Sequence, residues 1–398
     1  MYGKLRTFFA PLMVLALLVT SVGSAAAARP VPRAAWTVMV YISGDNDLEP
    51  YVVLDIETEL APTGSSDQVQ VLALADRHPA YDTSQGDWTT TKLFHVTQGM
   101  AATPENALAD WGERSMGDPQ TLVDFVTWSK TNYPADHYAL YLWGHGWGWR
   151  TSFTLRDETD GNDTLDPHEL TAVLPALGPI DVVGYDGCNM AAIEVQALWY
   201  GTAAATVHSQ EYVGWDGIEY ELILPALQAN PAMTPDQVAI LTSQSAGVNR
   251  ERTWSAVATD ARWAVLLDAI DQWAAALQAG LPTYRARYDR AFRPAQDFWG
   301  DPSAVDLYDA AARVYAAVPD ATIQASSQAV MDAVSGVVLD EWHITPYQNA
   351  HGISIYLPTH PSDLDHPDTP EIDVDYYRTL PFAQMTGWDE FIVAYQVP

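Results

Sequence analysis

The chain has 398 residues, and 51 acidic against 19 basic side chains give it a formal net charge of −32. Such a surface repels nucleic acid and anionic lipid and favours solubility. It would also steer cationic substrates inward, and a solvation or salt adaptation is the alternative. The length is sufficient for a large core and for two or three units that share one sheet. Because Cys188 is the only cysteine, an intrachain disulfide framework is excluded.

The N-terminus has the pattern of a secretory signal. Lys4 and Arg6 form a short basic region, an apolar stretch follows, and small residues occupy positions 24–28. We predict that residues 1–28 are a signal peptide and that the mature protein is secreted. Removal of the two basic residues takes the net charge from −32 to −34. A retained N-terminal anchor is the alternative, and no later stretch is long and apolar enough to span a membrane.

The mature chain is predicted to open with a strand, a helix and a second strand. Residues 36–43, WTVMVYIS, and residues 68–76, QVQVLALAD, have the composition of buried strands. Between them, apolar residues recur at helical spacing over 53–60, and Asp45 or Asn46 is a suitable N-cap.

Two further elements lead to a histidine. Residues 88–96 alternate as a short antiparallel strand, and residues 119–133 form an amphipathic helix. Residues 137–143, HYALYLW, then form a strand that ends at a histidine with a glycine on either side, His145. Many isolated histidines are surface or core residues. At the carboxyl end of a parallel strand, however, a histidine occupies the rim where α/β folds build their ligand sites.

Cys188 is the second residue that suggests chemistry. Residues 180–183 form an apolar strand, Gly184 and Gly187 permit a sharp turn, and a helical pattern follows the cysteine. We expect the thiol to lie over the first amides of that helix, which lower a thiol pKa. A buried, inert cysteine is the alternative. Since adjacent parallel strands present their carboxyl ends together, His145 and Cys188 are predicted to meet as base and nucleophile.

Residues 150–164, RTSFTLRDETDGNDT, are polar and lack apolar periodicity, which predicts an exposed loop between the two candidates. Asp166 is predicted to cap the next helix, and residues 203–208 form a further core strand. After a strand over 254–258 the pattern becomes mainly helical, with helices predicted over 262–279, 283–298, 304–318 and 322–334.

These patterns divide the chain into three parts. Residues 1–28 are the predicted signal peptide, residues 29–259 a catalytic core, and residues 260–398 a mainly helical C-terminal subdomain with late strands. Alternating strands and helices favour an α/β fold with a mostly parallel sheet. No internal repeat and no nucleotide-binding loop is present in the sequence.

Several segments, in this order, resemble the clostripain-like cysteine peptidases, which belong with caspases, legumains and gingipains. They are WTVMVYISGDNDLE, LYLWGHGWGW, DGCNMAAIEV, SQEYVGWDGIEY, VDLYD and GISIYLP, and they span most of the mature chain. The resemblance implies a caspase-like three-layer sandwich with a mostly parallel central sheet. It also implies an endopeptidase that cleaves after Arg and, less well, after Lys.

In this family a histidine and a cysteine form the catalytic dyad, which maps onto His145 and Cys188. The resemblance also implies that Asp186 lines a pocket for a basic side chain and that Asp216 assists it. Glycine stands between Asp186 and the cysteine, where alanine is more usual. We expect the N–H groups of Gly146 and Cys188 to meet the developing oxyanion. The alternative role of Asp186 is that of a helix N-cap.

Several family members cut themselves between the histidine and the cysteine. Here that interval contains Arg150 and Arg156, and we favour Arg156 because its surroundings lack an apolar anchor. Relatives also respond to Ca²⁺, and Asp157, Asp160 and Asp163 are candidate ligands. Their spacing does not fit an EF-hand, so a solvated acidic loop is the alternative. No cofactor is predicted to be required.

The predicted partners are proteins or peptides with basic residues, and neither nucleic acid nor, after signal cleavage, a membrane. A monomer is expected. Two other classes of function remain open at this point: a catalytically inert exported binding module, and a thiol-dependent acyl hydrolase or transferase of the same fold.

Overall fold

The structure is a computed structural model that describes Gly3 and residues 33–150, 153–248, 252–298, 301–359, 365–366 and 369–396. The predicted signal peptide lies outside these ranges, apart from Gly3. Residues 32–398 group into one compact unit. None of the helices in the described part of the chain combines the length and the hydropathy that a membrane span requires.

The strands and helices alternate along most of the chain. The strands are β1 (Ala34–Gly44), β2 (Val69–Arg77), β3 (Lys92–His95), β4 (Ala109–Asp110), β5 (Ala135–Trp143), β6 (Thr154–Asp157), β7 (Asp163–Leu165), β8 (Ile180–Asp186), β9 (Ala203–His208), β10 (Thr253–Ala258), β11 (Asp297–Phe298), β12 (Asp301–Asp306), β13 (Val338–His343), β14 (Ser354–Tyr356), β15 (Asp365–His366) and β16 (Thr369–Asp373). The helices are α1 (Glu49–Asp55), which a π-helical turn (Ile56–Leu60) extends, α2 (Pro119–Asn132), α3 (Pro167–Leu177), α4 (Ile193–Trp199), α5 (Tyr220–Ala229), α6 (Pro235–Ala246), α7 (Trp263–Phe292), α8 (Leu307–Ala317), α9 (Ala321–Val337), α10 (Val374–Tyr377), α11 (Pro381–Met385) and α12 (Trp388–Gln396).

One large sheet organises these elements. Within the described residues its strand order is β13-β10-β9-β8-β5-β1-β2-β3-β4. The strands from β9 to β2 pair in parallel. The strands β10 and β13 on one side, and β3 and β4 on the other, pair antiparallel. The predicted α/β class with a mostly parallel central sheet is therefore confirmed.

Alternating side chains of the sheet enter two separate cores. On β1, Met39 and Tyr41 belong to the core that also contains residues of α2, α3, α7 and α9. Val38 and Val40 belong to the core that contains residues of α1, α5 and α6. Helices consequently cover both faces of the sheet, which is the three-layer arrangement expected from the resemblance.

The entry to α1 differs from the prediction. The N-cap residue is Leu48, which has no side-chain cap, rather than Asp45 or Asn46. The Asn46 side chain still stabilises this turn, because its Oδ1 accepts a hydrogen bond from the Leu48 N–H at 2.9 Å.

Residues 150–164 are not an exposed loop over most of their length, so that prediction is wrong. Strands β6 and β7 form an antiparallel hairpin. Phe153, Leu155 and Leu165 are buried in the core beneath it. Leu155 adopts a φ of 60°, and the pairing register shifts along β6, so the apolar residues do not alternate regularly. Among the described residues of this segment, only positions 159–162, in the turn between the two strands, are exposed.

The C-terminal part also departs from its predicted boundaries. One 30-residue helix, α7, replaces the two helices predicted over 262–279 and 283–298, and Pro282 lies inside it. An internal proline costs a helix about 3 kcal/mol. Leu281 and Tyr288 are buried around this proline, and their packing offsets that cost. The edge strand β13 shows that this part contributes to the main sheet. The predicted boundary near residue 260 stays a prediction.

Candidate active site

The parallel strands β5 and β8 bring the two catalytic candidates to the same rim of the sheet. Trp143 is the register partner of Asp186, and the Gly144 N–H donates to the Asp186 carbonyl at 3.1 Å. His145 and Cys188 follow this pair at equal distances along their chains. Both line a single cavity of about 340 Å³. The structure thus places the predicted base and the predicted nucleophile at one site.

His145 is oriented by Asp47, a residue that the sequence patterns did not single out. The imidazole Nε2 lies 2.8 Å from Asp47 Oδ1. Burial raises the pKa of Asp47, but the hydrogen bond and the charge of His145 outweigh burial and lower it. The His145 carbonyl accepts hydrogen bonds from the Leu155 N–H at 3.2 Å and from Thr154 Oγ1 at 2.8 Å. Both the ring and the backbone of the histidine are therefore held in place.

Cys188 lies in a turn and not at a helix N-terminus. Helix α4 begins only at Ile193, with Ala192 as its N-cap, so the expected placement over the first helical amides is wrong. The half-buried sulfur instead accepts a hydrogen bond from the Val213 N–H at 3.4 Å. The N–H donor favours the thiolate, whereas the Val213 carbonyl, 4.0 Å from the sulfur, can accept from the thiol, so the loop after β9 contacts both forms of the nucleophile.

Gly146 packs against the turn that carries the cysteine. A Cβ at this position would lie 2.6 Å from the Cys188 carbonyl oxygen and 2.8 Å from Met190 Sδ, so only glycine fits. Within the described part of the chain, the Gly146 N–H donates to no protein acceptor. An unused N–H beside the nucleophile is what an oxyanion hole needs. The role of Gly146 and Cys188 as oxyanion donors stays a prediction.

Asp186 lines the cavity and is only 7% exposed. Its carboxylate accepts hydrogen bonds from the Ile218 N–H, at 3.2 Å and 3.3 Å to its two oxygens, and from the Tyr220 hydroxyl at 3.2 Å. The alternative role as a helix N-cap is wrong, because the next helix begins beyond Cys188. Gly217, at a φ of 55°, packs so closely that an added Cβ would overlap the carboxylate.

Asp216, which was predicted to assist Asp186, is not one of the acidic residues that surround the Asp186 carboxylate. Asp216 is exposed and is not among the described residues that line the cavity. Asp55 and Glu219 are buried, and Glu59 is half-buried. Burial, and then the charge of Asp186, raise the pKa of Asp55 well above its usual value. Burial, Asp55 and Asp186 together raise the pKa of Glu59 to about 10. A cation bound at Asp186 would relieve this concentration of acids.

Aromatic rings form part of the cavity wall. Tyr51 and Trp215 stack with their ring centroids 4.9 Å apart, and Trp215 is 66% exposed. Arg252 also reaches the cavity. Its guanidinium lies 3.6 Å from the buried Glu211 carboxylate and over the ring of Tyr212, so its charge is compensated within the protein.

The structure does not bring the predicted calcium ligands together as a set. Asp157 is buried in β6, whereas Asp160 is exposed in the following turn and Asp163 lies in β7. Among the residues that the structure describes, Asp157 instead converges with Asp45 and Asp76. Their ligand oxygens all lie within 4.8 Å of one another.

The two predicted cleavage positions have different surroundings. The Arg156 carbonyl accepts hydrogen bonds from Ser43 Oγ at 2.9 Å and from Asn46 Nδ2 at 2.8 Å. The expectation that this segment lacks an apolar anchor is also wrong, because Phe153 and Leu155 are buried. Arg150 lies before the hairpin, and its guanidinium donates to the Trp147 carbonyl at 3.0 Å.

Comparisons with known proteins agree with this geometry. Residues 40–395 match the clostripain family, peptidase C11. Clostripain from Hathewaya histolytica is 28% identical over 221 residues, which are 48% of this chain and 42% of clostripain, so the match spans less than half of that relative.

Two solved structures share the fold. One is a secreted C11 cysteine protease from Bacteroides thetaiotaomicron in complex with an irreversible peptide inhibitor, at a TM-score of 0.62 and 17% identity over 91% of this chain and 99% of that one. The other is an inactive zymogen C11 protease from Parabacteroides distasonis, at a TM-score of 0.60 and 18% identity over 89% of this chain and 98% of that one. The chain belongs to the clostripain family of cysteine peptidases.

Proposed function

We propose that this protein is a secreted, monomeric cysteine endopeptidase that cleaves after arginine and, less well, after lysine. The observation that carries the proposal is the convergence of His145, Cys188 and Asp186 on one cavity. A protein or peptide substrate with a basic side chain would place that side chain near Asp186 and its scissile carbonyl near the sulfur.

The chemistry follows from the positions of these groups. The Cys188 thiolate attacks the scissile carbonyl, and the tetrahedral oxyanion is met by the N–H groups of Gly146 and Cys188. The His145 imidazolium, held by Asp47, protonates the departing amine. Water then hydrolyses the thioester, with the same imidazole as base.

The preference for arginine follows from the pocket. A guanidinium can form two parallel hydrogen bonds to the Asp186 carboxylate, whereas an ammonium is a point charge that cannot match both oxygens. The stacked rings of Tyr51 and Trp215 offer faces on which a guanidinium and its stem can lie. A guanidinium bound at Asp186 would also favour ionisation of Asp55 and Glu59, whose pKa values are raised in its absence.

Fluorogenic peptides that end in Arg, Lys or Leu test this function, with and without prior treatment by iodoacetamide. We expect turnover in the order Arg, Lys, Leu, and complete loss on alkylation and in Cys188→Ala and His145→Ala with unchanged circular dichroism. Asp186→Asn should raise the activation free energy given by kcat/KM for the Arg substrate by about 2–5 kcal/mol. Equal cleavage after Leu and Arg contradicts the specificity, and near-normal turnover by either alanine variant contradicts the dyad.

A divalent-cation site is a second part of the proposal, favoured by one specific observation. Asp76 is fully buried, and its Oδ2 has no hydrogen-bond partner within the described part of the chain. It lies among the converging carboxylates of Asp45 and Asp157. Buried carboxylates are costly without a proton or a cation, and Ca²⁺ prefers carboxylate oxygens. A bound ion would tie the ends of β1 and β2 to β6.

Self-cleavage in the 150–164 segment is the third part of the proposal. Here we favour Arg150 over Arg156. A scissile carbonyl must enter the oxyanion hole, and the Arg156 carbonyl is already engaged by Ser43 and Asn46. Cleavage there would also require β6 to leave β7. We therefore propose Arg150 as the position of self-cleavage in this protein.

A further inference from the structure

The turn that carries the nucleophile has an unfavourable backbone conformation. Asn189, directly after Cys188, adopts a φ of 59° in the left-handed region. Asparagine tolerates this region better than most residues, but it still needs external support. That support comes from the loop after β9. The Asn189 N–H donates to the Glu211 carbonyl at 3.1 Å, and its Nδ2 donates to the Gln210 carbonyl at 3.0 Å.

The supporting loop is itself fastened to β10. Thr253 Oγ1 accepts hydrogen bonds from the backbone N–H groups of Gln210 at 3.1 Å and Glu211 at 3.0 Å. It also shares a hydrogen bond with Ser209 Oγ at 2.9 Å. The same loop continues to Val213, whose N–H donates to the Cys188 sulfur at 3.4 Å. A displacement of this loop would therefore disturb both the turn and the donor to the sulfur.

The Gln210 side chain connects this loop to the C-terminal part of the chain. It is almost fully buried, and its Nε2 donates to Asp306 Oδ2 at 3.1 Å. Its Oε1 accepts from the Gly352 N–H at 2.9 Å. Asp306 is fully buried and also accepts from the backbone N–H groups of Asp309 at 2.8 Å and His351 at 2.6 Å. The carboxylate is thus fixed by several donors, and it fixes Gln210 in turn.

We propose that Gln210 and Asp306 are positioning residues that hold the turn of Cys188 in its reactive conformation. They act through Asn189, without contact with the substrate, and the C-terminal part of the chain thereby takes part in building the active site. The expected loss of kcat rests on the proposed peptidase function. The expected change in the reactivity of the Cys188 thiol towards alkylation does not.

The test compares Gln210→Met with Gln228→Met. Methionine has a similar length but cannot reproduce either hydrogen bond of Gln210. Gln228 is the matched control, since its Nε2 donates a hydrogen bond to the Gly64 carbonyl at 2.7 Å and Gln228 is not among the described residues that line the cavity. For each variant we would measure kcat and KM on the Arg substrate, the melting temperature, and the rate of Cys188 alkylation by iodoacetamide between pH 5 and pH 9.

We expect Gln210→Met to lower kcat by about ten- to a hundredfold, as small misplacements of reacting groups do, while KM changes by less than about twofold. The pH midpoint of alkylation should rise, because the Val213 donor moves away from the sulfur. Asp306→Asn should lower kcat less, since its amide oxygen can still accept from Gln210. Gln228→Met should leave kcat and alkylation unchanged.

If Gln210→Met does not fold, Asn189→Gly provides the test, because glycine accepts the left-handed φ and removes only the side-chain hydrogen bond to the Gln210 carbonyl. Unchanged kcat and alkylation in the folded variants, or an equal loss in Gln228→Met, would overturn the inference. A wild type that alkylates normally but hydrolyses no peptide would contradict the proposed function, and the alkylation rates would still decide the role of Gln210.

Discussion

Gly217 allows a prediction that separates the pocket from the fold. The glycine has a φ of 55° and packs against the Asp186 carboxylate, whereas Gly201 has a φ of 79° and open space where a side chain would lie. Gly201→Ala should lose about 1 kcal/mol of stability through backbone strain, and Gly217→Ala should lose at least as much because its Cβ also meets the carboxylate. Only Gly217→Ala should also raise KM for the Arg substrate, by tenfold or so if the charge pair weakens by roughly 1.4 kcal/mol.

Thermal melts and Michaelis–Menten kinetics of the two variants provide the measurement. The Lys substrate serves as a second readout, since it needs less exact carboxylate geometry than arginine. An equal KM for both variants would show that Gly217 supports only the backbone.

At the residue scale, the sequence placed some site residues better than others. His145 and Cys188 could be predicted because each follows an apolar strand at a glycine-rich turn, and such strand ends converge in a parallel sheet. Asp47 could not, because an acidic residue after β1 looks like any loop residue until β1 is known to pair with β5. Asp55 was also missed, because an acidic residue on an amphipathic helix is normally assigned to the solvent-exposed face.

At the scale of elements, the parallel strands of the central sheet were predictable because each is a short apolar run between turn residues. Helix α7 was not, because Pro282 favours a break that tertiary packing overrides. The β6–β7 hairpin was missed because Phe153 and Leu155 are the only apolar residues between positions 150 and 164, too few to establish a strand pattern in a polar segment. The same hairpin brings Asp157 beside Asp45 and Asp76, a grouping that no local pattern contains.

That grouping gives a prediction about the joined ends of β1, β2 and β6. Millimolar Ca²⁺ should raise the melting temperature of the chelator-treated wild type by about 5 °C, as expected when an ion binds only the folded state. Asp76→Asn removes a ligand charge and should abolish this shift. Asp160→Asn, in the exposed turn of the hairpin, should retain it.

Differential scanning calorimetry with Ca²⁺ and Mg²⁺ titrations provides the measurement. Loss of the shift in Asp160→Asn would restore the site first predicted from the sequence. A melting temperature that neither ion changes in the wild type would exclude a cation at Asp45, Asp76 and Asp157.

The pairing of Asp306 with His351 connects β12 to the segment before β14 and predicts a pH dependence. His351 Nδ1 lies 3.0 Å from Asp306 Oδ1. Burial lowers the pKa of His351, but the hydrogen bond and charge of Asp306, the Asn349 carbonyl and the charge of Glu341 raise it above 6.5 on balance. A raised folded pKa means that the stabilisation is fully present below the unfolded pKa and is lost as the pH rises through the folded pKa.

His351→Gln should therefore lower the melting temperature most at about pH 6, and the difference from wild type should shrink as the pH rises above the usual histidine pKa. Melts at half-unit pH intervals test this. His343→Gln is a control, because His343 also pairs with a carboxylate, that of Glu341 on the same strand, at 2.9 Å. A difference between wild type and His351→Gln that grows with pH would contradict the sign of the coupling.

At the scale of the whole molecule, the interval between the catalytic residues is also the connection between two adjacent strands of the central sheet. Strands β5 and β8 pair from Ala139 with Val182 to Trp143 with Asp186. A cut at Arg150 would leave β1, β2 and β5 on one fragment and β8, β9 and β10 on the other, with the ladder between β5 and β8 intact. Because both hydrophobic cores contain residues from the two fragments, the fragments should remain associated.

The final prediction concerns that cut. Wild type and Cys188→Ala, expressed side by side, should differ in that only the wild type yields two fragments, and the new amino terminus should be Thr151 rather than Asp157. The fragments should migrate as one species on a sizing column and separate only in denaturant. Arg150→Gln should block processing, whereas Arg156→Gln should not, because its carbonyl stays bound to Ser43 and Asn46. A cut that also appears in Cys188→Ala would show that another peptidase makes it, and a fully active, uncut wild type would show that the peptidase needs no processing in this segment.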